Sequence, residues 1–382
     1  MKSYDVVIVG GGIIGGSLAF DLAQRNLRVA LLDRQELMHE ASWAAAGMLS
    51  PAPDSPAAIP LVPLGRASLA LYPKFVDTVE EASGQRTGYR TGGALEVFCH
   101  GDPERELSTL VALHHGLGLA CEPLPLEDAR ILQPALGRHA RAAAFLPDEC
   151  SIEPRALTSA VLSAAASAGA VLCPGVRVTS LALAGNKCTG VKSSSGEIFH
   201  AAHVVLAAGC WSSQIPEAAP YAPTLPVRGQ MAALRHCGTP IRHVLRSESG
   251  YLVPRGVESP ETVVVGSTIE IAGYEKRVTS GGVEKILSAA NELVPELAKA
   301  ELIETWCGLR PGSPDQLPIL GPVDVDGLLL ATGHYRNGIL LAPVTAKLIG
   351  EWIAERRTSL DWETFSPLRF LRTNADRSAP VS

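Results

Sequence analysis

The apolar run Val6-Val7-Ile8-Val9 stops abruptly at Gly10-Gly11-Gly12, and a second run, Val29-Ala30-Leu31-Leu32, stops at Asp33. Both runs are too short for a helix and are bounded by glycine or an acid, so they read as buried strands. Between them, residues 15–25 read as a helix. Later runs of the same kind are 203–209 and 327–333, each ending in small residues, and a helix over 339–356 follows the second. Further helices are expected over 68–82, 103–116, 153–169 (stopping at Gly169) and 280–293. Short apolar runs at 170–172, 176–183, 188–193 and 198–200 are separated by Gly185-Asn186 and Ser195-Gly196, which predicts a small antiparallel meander. A strand at 94–98 and alternating strands within 224–304 predict a second, mainly antiparallel sheet. Residues 51–63 are proline-rich and read as irregular, and 376–382 as a frayed tail.

The first unit carries chemistry. Gly10, Gly12 and Gly15 stand at G-x-G-x-x-G spacing inside a strand–turn–helix–strand pattern, which is the arrangement of a dinucleotide site. Gly10 permits the tight turn, Gly12 lets a pyrophosphate approach the backbone, and Gly15 lets helix and strand pack closely. The pyrophosphate would lie on the helix N-terminus, where free N–H groups and the dipole favour negative charge. Asp33 is spaced to bond a ribose hydroxyl and would repel a phosphate on it.

The strand ends at Gly10–Gly15, Ala207–Gly209 and Thr332–Gly333 are far apart in sequence, yet in a parallel sheet such ends converge on one crevice. A C-terminal return to the nucleotide sheet suits an extended cofactor such as FAD. The turn Gly333-His334-Tyr335-Arg336-Asn337-Gly338 feeds directly into a helix whose N-terminus would face the flavin pyrimidine edge. The expected fold is therefore α/β: a Rossmann-like FAD-binding domain (1–84, 148–222 and 308–372) interleaved with an α+β substrate domain on a mainly antiparallel sheet (85–147 and 223–307). Residues 373–382 form the tail.

Composition narrows the class. Of 382 residues, 46% are hydrophobic and 19% charged, which allows a sizeable core in two domains. The net charge of −6 and the lack of a Lys/Arg block exclude a nucleic-acid partner. Eight cysteines are scattered without C-x-x-C or nearby histidine, which argues against structural zinc and disulfides. No apolar run is long enough to span a membrane. The N-terminal run matches a nucleotide turn better than a leader. A cytoplasmic enzyme is expected.

Several blocks are more specific: Ala41-Ser42-Trp43-Ala44-Ala45-Ala46-Gly47-Met48, Pro226-Val227-Arg228-Gly229-Gln230-Met231, Tyr251-Leu252-Val253-Pro254-Arg255, Gly308-Leu309-Arg310-Pro311-Gly312, and the turn from Gly333 with Ile339-Leu340-Leu341-Ala342-Pro343. With these the chain resembles the glycine oxidases, thiamine-pathway members of the D-amino-acid-oxidase superfamily, over nearly its whole length. The resemblance implies noncovalent FAD and oxidation of glycine or a similar small amine by hydride transfer to flavin N5. Imine (glyoxylate after hydrolysis), ammonia and hydrogen peroxide would result, with the imine feeding thiazole assembly. It also implies a homo-oligomer, commonly a tetramer.

By the same resemblance Ile13 and Ile14 lie in the phosphate turn, and Asp33 and Arg34 hold the adenosine side. Ala41, Ser42, Ala46, Gly47 and Met48 line the pyrophosphate and flavin, with Ala208, Gly209 and Trp211 nearby. Val178 touches the adenine region, and His334, Tyr335, Arg336, Asn337, Gly338, Ile339 and Leu340 wrap the isoalloxazine. Arg310 would bind the substrate carboxylate, Tyr251 would hydrogen-bond it, and Arg336 would sit beside substrate and flavin. Met48 and Ile269 would wall the pocket.

These residue types suit the chemistry independently. A guanidinium fixes a carboxylate with two parallel, charge-assisted bonds, and oxidation of a neutral amine by a flavin needs no protein nucleophile. Pro311 and Gly312 place Arg310 in an irregular turn. Two departures stand out: the resembled family usually has Glu at Asp33, and often Met at Ile269. Related sarcosine oxidases attach FAD to a cysteine near Cys307, but the local pattern Trp306-Cys307-Gly308-Leu309-Arg310 reads as a buried, inert thiol. The rival reading is an FAD-dependent D-amino-acid or D-proline dehydrogenase that passes electrons to a quinone.

Overall fold

The computed structural model describes residues 3–255 and 261–371, so the expected tail at 373–382 lies outside the described residues. Two eight-stranded sheets organise the chain. In the first, Ser3–Val9 runs parallel to both Ile198–Leu206 and Val29–Leu32. Leu328–Thr332 extends the parallel set on one side and Val171–Cys173 on the other, with Ile319–Pro322 antiparallel at the edge. Val29–Leu32 and Leu328–Thr332 are buried throughout, as a parallel sheet covered on both faces requires.

The helices Ile13–Gln24, Val62–Ser83, Pro154–Ser167 and Gly338–Glu355 pack on one another and on one face of this sheet. One junction shows how a helix defect is absorbed. Pro343 lies inside Gly338–Glu355 and lacks the N–H that would bond the Ile339 carbonyl. The hydroxyl of fully buried Tyr72 donates to that carbonyl instead, at 2.5 Å. In the next register Ser68 Oγ donates to Leu340 O at 2.5 Å and accepts from Val344 N at 3.4 Å. The long helix thereby fixes the start of the one that leads out of the Gly333 turn.

The second sheet has the order Glu301–Gly312, Leu225–Arg235, Thr262–Gly266, Tyr251–Pro254, Val244–Arg246, Ala94–Phe98, Ala142–Leu146, Glu122–Leu124. Every pairing is antiparallel except that of Val244–Arg246 with Ala94–Phe98. One face packs on Ser280–Leu293 through Leu245, Leu252, Val265 and Ile286. The other carries Ala94, Ala144, Met231 and Trp306 and turns toward the first sheet.

Several local expectations change. Val171–Cys173 is not part of the meander but a parallel edge strand beside Val29–Leu32. The runs at 198–200 and 203–209 form one strand, Ile198–Leu206, which carries the meander at one end and the parallel sheet at the other. The helix expected over 68–82 begins at Val62, because Pro63 fits the first helical turn. The irregular 51–63 segment includes a 3₁₀ helix, Pro56–Leu61. Arg310 lies near the end of a continuous strand, Glu301–Gly312, in place of an irregular turn. Pro311 is tolerated there because this is an edge strand. The same strand runs through the expected 307/308 boundary.

Candidate active site

The two sheets enclose a cavity of about 760 Å³. Its first wall is backbone. Gly10 has φ of 116°, and a Cβ there would lie 2.3 Å from Ala207 O, while one on Gly15 would lie 1.8 Å from Gly10 O. Only hydrogen at these positions lets the two strand ends and the helix Ile13–Gln24 meet. Gly10, Gly12, Ile13 and Ile14 line the cavity, so the helix N-terminus opens on it. Ser42 Oγ accepts from Ile13 N at 2.9 Å and holds the Ala41–Ala44 segment against that turn. The Asp33 carboxylate receives Gly11 N–H at 2.7 Å and Gln35 N–H at 3.1 Å. Burial raises its pKa more than those bonds lower it. Arg34 is paired with Glu40 at 2.7 Å and lies 3.7 Å over the Trp211 ring.

Distant strand ends are tied together beside this wall. Thr332 Oγ1 donates to Gly209 O at 3.0 Å and accepts from Ser212 Oγ at 2.9 Å. Tyr335, at a φ of 48°, donates its N–H to Pro311 O at 2.9 Å, which joins the Gly333 turn to the Arg310 strand. His334 Nε2 meets Thr345 Oγ1 at 3.0 Å, and burial lowers its pKa to about 3. The ring is therefore a neutral structural pin at ordinary pH.

The second wall is side chains. Trp306, Gly308 and Arg310 alternate to one face of their strand and Cys307 to the other. Arg310 donates from Nη1 to Thr268 O at 3.1 Å and from Nη2 to Ser267 Oγ at 2.7 Å. Among the described residues no carboxylate pairs with it. Gly229 makes room for this guanidinium, since a Cβ there would lie 2.1 Å from Nη1. Tyr251 OH donates to Met231 Sδ at 3.2 Å, and Met48 and half-exposed Ile269 flank the same space. Arg336 pairs with Asp54 at 3.1 Å where the cavity meets solvent.

Every candidate residue named above lines this one cavity except Gly15 and Leu340. Gly15 acts behind the wall against Gly10, and Leu340 is buried in the helical core. The Cys307 thiol does not line the cavity, and burial pushes its pKa up.

Residues 5–352 match the DAO family of FAD dependent oxidoreductases. The chain belongs to this family. It is 38% identical over 376 residues to the bifunctional protein ThiO/ThiG of Synechocystis, covering 97% of this chain and 54% of that protein. The chain thus spans about half the length of such fused relatives. It is 32% identical over 372 residues to the glycine oxidase of Geobacillus kaustophilus, covering 96% of this chain and 97% of that protein. The crystal structure of glycine oxidase from Geobacillus kaustophilus superposes with a TM-score of 0.90 at 31% identity, over 97% of this chain and 99% of that one.

As a member of an FAD dependent oxidoreductase family, the chain has a glycine-lined helix N-terminus and two further strand ends that would suit that cofactor. Other residues in and around the cavity were given no role by the motif reading. Arg255 is half-buried, with burial lowering its pKa to about 10, and donates to Ala46 O at 2.8 Å and Ile152 O at 3.3 Å. It pins the backbone on either side of Gly47. Arg246 bonds Glu96 at 2.8 Å and Glu149 at 3.1 Å, and Ser50 Oγ donates to Glu149 at 2.6 Å. Their signal is tertiary, because nothing in the spacing of 50, 96, 149 and 246 foretells contact. Among the described residues no helix is long and apolar enough to cross a membrane.

Proposed function

We propose that this chain oxidises glycine or a similarly small amine to the imine, with oxygen as electron acceptor and peroxide, ammonia and glyoxylate as products. The observation that carries this reading is the acid-free Arg310 guanidinium, seated over Gly229 in the same cavity as Tyr251 and the glycine turn. A half-buried guanidinium without a carboxylate of its own is a receptor for one. Two parallel bonds from Arg310 would fix the substrate carboxylate, and Tyr251 OH would add a third. Anchoring at one end orients the Cα–H, and the apolar surfaces of Met48 and Met231 exclude water from the amine. FAD, when bound, would supply the hydride acceptor. The chain supplies orientation, which needs no protein nucleophile.

The fused ThiO/ThiG relatives support a place in thiazole assembly, where the imine would be consumed before hydrolysis. Within this reading FAD is held noncovalently, because Cys307 faces away from the cavity. Residues 1–84, 148–222 and 308–372 chiefly serve the cofactor, and 85–147 and 223–307 the substrate, with Arg310 reaching the substrate from the strand Glu301–Gly312 that crosses between them. A cytoplasmic homo-oligomer, tetrameric as the family resemblance implies, completes the proposal.

Anaerobic addition of glycine to the purified, flavin-loaded protein tests it. Bleaching of the visible flavin band, reversed by air with release of peroxide, is expected. Bleaching only by a bulkier D-amino acid, or failure of air to restore the band, would replace this reading with the quinone-dependent dehydrogenase.

A further inference from the structure

Residues 267–279 join the strand Thr262–Gly266 to the helix Ser280–Leu293, and on the way they leave the second sheet for the opposite wall of the cavity. Ionic and backbone contacts fix their base. Glu270 exchanges backbone hydrogen bonds with Arg228, 2.9 Å each way. Its carboxylate accepts from Arg228 Nε at 2.9 Å and from Gln230 Nε2 at 2.7 Å. The Arg228 side chain is only 7% exposed, and its Nη1 donates to Glu275 O at 3.3 Å. At the far end Thr279 N–H donates to Gln230 Oε1 at 2.8 Å, and the Thr279 hydroxyl caps the helix. A connection anchored at both ends in this way can hold what lies beyond it.

Beyond that base, two side chains cross to the first wall. Tyr274 OH donates to Cys210 O at 2.8 Å, and its ring lies 5.8 Å from that of Trp211. Lys276 Nζ lies 3.0 Å from one carboxylate oxygen of Glu40, and the other oxygen accepts from Arg34 Nη2 at 2.7 Å and Gln35 Nε2 at 2.8 Å. Arg34, Glu40, Cys210 and Trp211 line the cavity, whereas Tyr274 and Lys276 do not, so these two act through their neighbours. Two cations, Arg34 and Lys276, answer the single Glu40 carboxylate, which leaves one positive charge in surplus beside the cavity. Asp33 identifies the place. In this fold an acid closing the second strand meets the ribose of the nucleotide, and Arg34 is the next residue. A surplus positive charge there favours a ligand that carries a diphosphate.

We propose that Tyr274 and Lys276 are positioning residues for the adenosine half of the cofactor, holding Trp211 and Arg34 in place from the substrate side and thereby slowing the release of FAD. Their contacts involve neither Arg310, nor Tyr251, nor the Gly333 turn. A flavin without adenosine should therefore not feel their loss. Lys276 is 39% and Glu40 21% exposed, so solvent screens their pair and the effect of Lys276 alone is modest. Removing both side chains gives the large effect.

Which amine is oxidised does not enter, so the test reads flavin alone. FAD release from the loaded protein is followed by the fluorescence of the freed flavin. A double variant, Tyr274→Ala with Lys276→Met, should release FAD about tenfold faster or more, and Tyr274→Phe or Lys276→Met alone about two- to fivefold faster. Lys276→Arg, which keeps the charge, should stay within about twofold of the parent. Protein stripped of flavin is then titrated with FAD and with FMN, which has no adenosine. The double variant should bind FAD more weakly, while its Kd for FMN changes by less than about twofold. Should the double variant not fold, the two single variants carry the same contrast. Unchanged FAD release from the double variant would overturn the proposal. Equal loss of affinity for FAD and FMN would overturn it too, by making the connection a structural brace and no more. Protein that shows the expected FAD behaviour but oxidises no amine would overturn the amine-oxidation reading and leave the roles of Tyr274 and Lys276 standing.

Discussion

The two walls of the cavity are built by different means. On the parallel sheet the wall is backbone: strand ends, a helix N-terminus and glycines whose missing Cβ atoms let three chain segments meet. On the antiparallel sheet it is a row of side chains, Glu96, Arg246, Tyr251 and Met231, set beside one another by register across strands. In the proposed reading the backbone wall would hold what every such cofactor shares, a pyrophosphate and a flat ring system. A side-chain wall can be altered one residue at a time, so selectivity among amines belongs there. The comparison predicts that changes on the first side cost cofactor and fold, while changes on the second cost turnover and leave the flavin bound.

The largest effect should come from Gly10→Val. Its β-carbon would meet Ala207 O at 2.3 Å from a backbone φ of 116°, so neither side can relax cheaply. We expect a protein that folds poorly or is purified without flavin, read as the ratio of visible to ultraviolet absorbance. A soluble variant with full flavin content would show that the backbone wall is not required.

Next is Arg310→Leu. Loss of a charge-assisted anchor costs on the order of 2–5 kcal/mol, which corresponds to a fall in kcat/KM of roughly thirty- to several-thousand-fold. The flavin content should stay normal. Steady-state kinetics on glycine decide it, and an unchanged kcat/KM would remove Arg310 from the substrate.

His334 probes the side-chain pin that holds the cofactor turn. Its pKa is lowered to about 3 by burial, whereas in the unfolded chain it titrates near 6.5. Between those values the unfolded state binds a proton that the native state does not. Its contribution to stability is therefore complete above about pH 6.5 and falls as the pH falls, by about 1.4 kcal/mol per unit. His334→Gln should flatten that part of the profile. Denaturant midpoints of both proteins at about pH 7 and pH 5 provide the check, and parallel profiles would contradict a buried neutral ring.

The smallest effect is expected for Tyr251→Phe. One neutral hydrogen bond is worth about 1 kcal/mol, so kcat/KM on glycine should fall by roughly five- to tenfold with Arg310 still anchoring the carboxylate. A loss as large as that of Arg310→Leu would make Tyr251 an equal partner, and the reading of the wall would change accordingly.

The elements most legible in the sequence are those fixed by near neighbours. The helices Pro103–Gly116 and Ser280–Leu293 fall where their periodicity puts them, and each has a local cap, Asp102 for the first and Thr279 for the second. The turns at 10–15 and 333–338 are readable for a related reason, since glycine and asparagine mark unusual backbone wherever they occur. Arg310 was legible as a residue but not as a place. Pro311 and Gly312 signal a turn locally, yet hydrogen bonds to Leu225–Arg235 keep the strand going.

By itself, then, the sequence determined that a dinucleotide-type turn, a returning C-terminal strand and Arg310 beside its Pro311-Gly312 pair coexist in one chain. These depend on residue type and short spacing. Only the tertiary structure decided that Arg246 stands between Glu96 and Tyr251, that Tyr72 satisfies the carbonyl Pro343 leaves free, and that Thr332 ties its strand end to Gly209. The physical reason is common to all three. Each is a contact between segments far apart in the chain, set by sheet register or helix packing, and no interaction between sequence neighbours encodes it.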